Sequence, residues 1–278
     1  MKDQVDRYLN AVEHLPTAPT VMIKLITLFQ RPGCDVDEIV GLLTVDPSLT
    51  AEVLRRCSSA FFGGEEAATD IFDAIMRLGF YEVYRTAIAM AGFKLFSVSK
   101  SGIIDVEELW RHSVSVAVVS GILAQELGES AGLAYTSGLL HDVGKILFAA
   151  VEGPRYAELI RQTGGSGAEL DRLECEAFGF GHASIGARLL ARWGVPLDVS
   201  TPVFCHHHSE WMEPYQRLSA AISLANDIAH QMDEPSEISE SASAVFLGLS
   251  NEDLARLAQK AKEEIAGLAG LFNAAAAN

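Results

Sequence analysis

The 278-residue sequence has no uncharged apolar run near the roughly 18 residues that a membrane span needs. Its N-terminus, MKDQVDRYLNAVEHL, lacks the apolar stretch and small-residue cleavage site of a secretory signal. These two absences lead us to expect a cytoplasmic chain that does not enter a membrane. Basic residues are also scarce, 21 against 37 acids, for a formal charge of −16. That balance opposes the counterion release that drives nucleic-acid binding, so no nucleic-acid partner is expected. Arg55, Arg56, Arg77 and Arg85 are the main basic content of the first third, and they are scattered. Cysteine is sparse too: Cys34, Cys57, Cys175 and Cys205 form no CxxC pair and read as buried thiols of a reducing compartment. No repeat and no strand-like alternation is visible.

What the sequence has in abundance is helical patterning. With 49% hydrophobic residues it can build a sizeable core. Segments such as VMIKLITLF, DEIVGLLTV, LTAEVLRRC and IFDAIMRLG repeat apolar residues every three or four positions, and Pro16, Pro19, Pro32 and Pro47 punctuate them. A nearly all-apolar helix is expected over 81–96. The polar break SVSKSG follows, and the boundary of two helical lobes is placed there, giving 1–100 and 101–278. Asp105 with Glu108 reads as a capping box for a helix that Gly128 ends. Ser130 should cap one continuous helix through GLLHDVGKILFAAV. His182 opens HASIGARLLARW, a short helix ends in FCHHHSE, YQRLSAAISLANDIAH follows, and Ser250 with Asp253 caps the last helix. The tail NAAAAN is left out of the fold argument.

Six of the eight histidines fall in four places of the second lobe: His112, His141, His182 and the run His206, His207, His208. Imidazole is a common ligand for borderline metals, and a neighbouring aspartate adds a charged oxygen that can bridge two ions. Helices aimed at one centre can bring such groups together. Each residue also has a plainer reading. A lone histidine on an apolar helix is ordinarily a hydrogen-bonded core residue. The run at His206 suits a helix C-terminus, Glu108 is accounted for by its capping box, and Cys205 packs as a small hydrophobe.

The phrases LPTAPTVMIKLITLF, VDPSLTAEVLRRCSSAFFG, DAIMRLGFYEVYRTAIA, WRHS, GLLHDVGK and GHASIGARLLARWGVP, in that order and followed by the histidine run, resemble the HDOD domain family of the HD superfamily. The resemblance covers residues 15–229. It implies a bacterial, all-α protein of two helical lobes, the C-terminal one an HD-domain-like bundle, working in signal transduction with protein partners; many members are thought to have lost catalysis. It maps the HD pattern onto His112, His141, Asp142 and Asp227. The related HD-GYP phosphodiesterases add Glu108, His182, His206 and His207, with His208 a spare. The DGxGYP stretch itself is missing, since SEWMEPYQ stands after the run.

On this mapping His112, His141, Asp142 and Asp227 hold one divalent ion, and Glu108, His182, His206 and His207 complete a second, with Asp142 bridging. Asp142 and Lys145 are the catalytic candidates, Lys145 being placed to stabilise charge on a phosphoryl group, or else to snorkel towards solvent. The mixed nitrogen and oxygen donors suit iron or manganese, with zinc or magnesium as alternatives. Two readings follow: a regulatory protein whose metal site takes a nucleotide or phosphate ligand, and an active metal-dependent phosphohydrolase or phosphodiesterase.

Overall fold

The computed structural model describes residues 2–11, 20–31, 33, 35–57, 68–96, 102–163, 167–208, 212–232, 238 and 240–268. Among these residues all regular structure is helical and no strand is present, as the patterning predicts. The tail 273–278 and the break 97–101 lie outside them. No described helix is long and apolar enough to cross a membrane.

The helices form two compact units. One contains α2 (Thr20–Gln30), α3 (Val36–Thr44), α4 (Pro47–Cys57), α5 (Ile71–Leu78) and α6 (Phe80–Phe96). Its core includes Phe29, stacked on Tyr84 at 4.1 Å between ring centroids and on Phe80 at 5.2 Å. Buried Arg56 and Arg85 both pair with Glu82, while Arg55 pairs with Glu52 and Arg77 with Asp73. Each of the four arginines thus faces a carboxylate.

The other unit contains α1 (Lys2–Ala11), α7 (Val106–Leu127), α8 (Ala131–Leu140), α9 (Val143–Val151), α10 (Pro154–Thr163), α11 (Gly167–Phe178), α12 (His182–Arg192), α13 (Leu197–Cys205), α14 (Gln216–His230), α15 (Ala242–Leu247) and α16 (Asn251–Gly267). The expected division into 1–100 and 101–278 differs from these units at α1. Tyr8 packs edge-on against Phe148 and Phe180 and donates to Glu152, and Arg188 of α12 grips Asp6 through two bonds. Periodicity shows which face of a helix is apolar, not which body that face covers.

Local signals set many helix ends. Asp105 accepts from the backbone N–H groups of Glu107 and Glu108, and Gly128 closes α7 in the left-handed region that glycine favours. Ser130 caps α8, and Ser250 with Asp253 caps α16. The expected single helix after Ser130 is broken, however, and the break falls at His141–Asp142, between α8 and α9. Two neighbours on an unbroken helix would diverge by about 100°; the turn lets both side chains face one centre.

Helix α7 packs on α8 and α14, α12 packs on α9 and α13, and α13 also meets α8 and α14. The α9–α12 crossing needs glycine. A Cβ on Gly144 would lie 2.1 Å from the His182 carbonyl oxygen, and one on Gly186 would lie 3.0 Å from the Gly144 nitrogen. Backbone-to-backbone approach at this crossing brings Asp142, two residues before Gly144, against His182. Of the cysteines, Cys57 and Cys205 are buried as expected, Cys175 is exposed against expectation, and Cys34 lies outside the described residues.

Candidate metal centre

The His141–Asp142 turn sits at the middle of the α7–α14 bundle, and both side chains are fully buried. The two Asp142 oxygens face different histidines. Oδ2 lies 3.3 Å from His141 Nε2 and 3.8 Å from His112 Nε2, while Oδ1 lies 3.2 Å from His182 Nε2 and 3.9 Å from His206 Nε2. Among the described residues, two of the three sets of donor atoms close enough to share a cation contain Asp142: His112, His141 and Asp142 on one side, and Asp142, His182, His206 and His207 on the other; the third is Asp171, Glu174 and His182.

The hydrogen bonds at the back of each ring decide which nitrogen faces the centre. His141 Nδ1–H donates to the Gly138 carbonyl at 2.7 Å, and His206 Nδ1–H donates to the Val203 carbonyl at 2.6 Å. A carbonyl can only accept, so the proton is fixed on Nδ1 and Nε2 presents a lone pair. These two Nε2 atoms and Asp142 Oδ1 are buried and make no hydrogen bond among the described residues. Lone pairs from imidazole and carboxylate pointing at one another repel unless a cation lies among them. The residues present therefore fit a divalent metal ion.

His182 is held by a carboxylate instead. Fully buried Glu174 on α11 accepts from His182 Nδ1–H at 2.7 Å, from the His182 backbone N–H at 2.5 Å and from the Tyr156 hydroxyl at 2.7 Å. Asp171, one turn earlier, accepts weakly from the Ala183 N–H at 3.4 Å. Two acids of α11 thereby meet the first N–H groups of α12, where carboxylates are favoured. Burial disfavours a charged His182, but Glu174 outweighs it and raises the pKa to about 9. The free ring therefore holds a proton on Nε2 that a metal would displace. Burial, reinforced by neighbouring histidines, keeps His112, His206 and His207 well below their usual pKa and so neutral. Burial also opposes ionised Asp142, yet the Lys145 ammonium and the His182 ring N–H beside it hold its pKa well below the ordinary range.

Six of the eight predicted metal ligands are thus brought together: His112, His141, Asp142, His182, His206 and His207. Glu108 is not. It is exposed, its backbone N–H donates to the Asp105 cap, and it belongs to no donor cluster among the described residues. Asp227 is not either. The neighbouring residue Asn226 faces the centre, its Oδ1 3.0 Å from His112 Nε2, so the α14 position opposite His112 carries an amide rather than a carboxylate. Desolvation with no offsetting charge raises Asp227 to about 6. Lys145 is buried rather than snorkelling, and its Nζ pairs with Asp142 Oδ2 at 2.7 Å.

Sequence reasoning missed Asn226, His230, Glu174, Asp171 and Tyr156. His230, one turn beyond Asn226, stacks on the His112 ring at 4.3 Å. The available signal was spacing: Asn226 lies four residues after Ile222 and four before His230, on the stripe that starts at Leu218. For Glu174 and Asp171 the i, i+3 spacing showed a shared face but not what it meets.

Fold and centre together define an all-helical domain that presents a His-Asp turn to a ring of histidines. The HDOD domain model matches residues 15–209, and the chain belongs to that family. In solved structures it is similar to an HDOD domain protein from Geobacter sulfurreducens, with a TM-score of 0.83 and 21% identity over 97% of each chain. A candidate phosphohydrolase from Shewanella amazonensis SB2B has a TM-score of 0.71 and 27% identity over 94% of this chain and 92% of that one. Among curated proteins, one from Treponema pallidum (strain Nichols) is 25% identical over 77% of this chain and 42% of its own length. Ribonuclease Y of Fervidobacterium nodosum is 29% identical over 56% of this chain and 24% of its own. The chain thus spans less than half the length of these two curated relatives.

Proposed function

We propose that this chain is an HDOD regulatory domain whose HD-like unit holds two divalent metal ions, iron or manganese, and takes a small phosphate-bearing ligand. One observation carries the reading: buried Asp142 turns one oxygen to His112 and His141 and the other to His182 and His206, as a carboxylate shared by two ions must. His112, His141 and Asp142 would hold one ion, and Asp142, His182, His206 and His207 the other. Such ions supply positive charge for phosphate oxygens and acidify bound water. Lys145 adds an ammonium beside them. The charge of −16 supports a small ligand over a nucleic acid, and signalling proteins are the partners we propose.

Metal analysis of the purified protein and its Asp142→Ala variant tests this. The expected result is bound divalent metal that the variant loses from both sides. Metal-free wild-type protein, even after incubation with iron(II) or manganese(II), would refute it.

A second reading, a metal-dependent phosphohydrolase or phosphodiesterase, is supported by the likeness to the Shewanella candidate phosphohydrolase. Asn226 in place of a carboxylate and the missing DGxGYP stretch favour regulation. Metal-dependent hydrolysis of nucleotide or dinucleotide phosphates, abolished by Asp142→Ala, would reverse that order.

A further inference from the structure

We infer that the two sides of the centre load unequally: the Asp142–His182–His206–His207 side takes a divalent cation tightly, while Lys145 and Asn226 hold the His112–His141–Asp142 side in a state that binds a second one weakly. The inference rests on the two-ion reading proposed above and adds an order to it.

Three differences between the sides carry it. The first is donor number, four residues against three. The second is what stands behind the rings. His182 is oriented by the Glu174 carboxylate, which Tyr156 and the His182 backbone N–H fix in place, so its Nε2 is aimed at Asp142 before any ion arrives. A carboxylate behind a histidine also makes the opposite nitrogen a better donor. Both inner nitrogens meet a neighbour, His182 Nε2 the His207 Nε2 and His112 Nε2 the Asn226 Oδ1, each at 3.0 Å. His207 belongs to the same donor set as His182, whereas coordination by His112 must break a bond to a residue outside its own set.

The third difference is Lys145. Its buried Nζ sits 2.7 Å from Asp142 Oδ2, the oxygen turned towards His112 and His141, and it has no comparable pairing with Oδ1. An ammonium on Oδ2 repels an incoming divalent cation and competes with it for the same oxygen. Oδ2 thus faces a resident ammonium, whereas Oδ1 faces the His182 Nε2 proton, which coordination replaces. Glu174 and Tyr156 act here as positioning residues, through His182, and Lys145 acts as a resident competitor.

Titration of the metal-free protein with manganese alone, followed by calorimetry and by the electron paramagnetic resonance of free manganese, separates the two sides without an activity assay. Wild type should show one tight class and a second at least about tenfold weaker, or a second too weak to fill. Lys145→Met should tighten the weak class by about tenfold or more. Glu174→Gln should weaken the tight class by about 10- to 100-fold. Should Glu174→Gln not fold, Tyr156→Phe loosens the same carboxylate, keeps the fold and should weaken the tight class in the same direction. Two equal ions in wild type would overturn the inference, as would a weak class unmoved by Lys145→Met or a tight class unmoved by the Glu174 and Tyr156 variants. Those outcomes leave the two-ion reading standing, whereas a wild-type chain that takes up no manganese removes it.

Discussion

Asp227→Asn separates a buried carboxylate that serves metal from one that burdens the fold. The Asp227 carboxyl is partly buried on α14, and desolvation without a compensating charge raises its pKa from 3.8 to about 6. In the unfolded chain the proton is lost near 3.8. Between these two values the unfolded state has released its proton while the folded state retains it, so stability falls as pH rises through the window. Above pH 6 the whole penalty is present. A rise of this size corresponds to about 3 kcal/mol at full strength. Solvent reaching the side chain reduces this to about 1–2 kcal/mol, or a few degrees in Tm for a unit of this size. Asparagine is uncharged at every pH and resembles the protonated acid in shape. Thermal unfolding of wild type and Asp227→Asn from pH 3.5 to 8 should give curves that meet at the acid end and separate above pH 6, with the variant more stable. Bound metal should be unchanged. A variant that is less stable at pH 7, or that has lost metal, would refute the assignment and return Asp227 to the ligand set.

Glu108→Gln should leave metal content unchanged and stability within about 0.5 kcal/mol, measured by metal analysis and urea unfolding, because the side chain is exposed and outside the clusters. Asn226→Asp puts a carboxylate 3.0 Å from His112 Nε2 and should tighten manganese binding on that side by about tenfold, measured by the same titration. Gly144→Ala places a methyl group 2.1 Å from the His182 carbonyl oxygen. It should force α9 and α12 apart, destabilise by about 1–3 kcal/mol or more in urea, and reduce metal binding by separating Asp142 from His182.

Much of this architecture is written locally. Asp105, Ser130 and Ser250 sit at helix starts because their side chains satisfy N–H groups two or three residues on, an interaction contained within one turn. The histidines were visible as residue types, and the family phrases fixed their order. The break between α8 and α9 was not visible, because His141 and Asp142 are flanked on both sides by residues that would continue a helix. What favours the break is the centre itself, assembled from α7, α12, α13 and α14, none of which adjoins the pair in sequence. Glu174 was hidden for the same reason: it lies in a charged helix, and only packing against the start of α12 distinguishes it from its exposed neighbours.

The exchange of Asp227 for Asn226 shows what periodicity supplies and what it withholds. Leu218, Ile222 and Asn226 follow one stripe of α14 at four-residue steps, and His230 extends it; a residue displaced by one position is turned by about 100°. Mapping the distal aspartate of the HD pattern onto Asp227 put the family's carboxylate one position off that stripe. The consequence reaches the function. Had Asp227 faced His112, that side of the centre would have held a second anion able to offset Lys145 and attract an ion of its own. With an amide there, Asp142 is the only carboxylate in the two clusters that contain His112 and His207, and Lys145 already engages one of its oxygens. A centre short of one negative charge on one side is poorly suited to keeping two ions permanently bound, and better suited to a site whose second ion comes and goes.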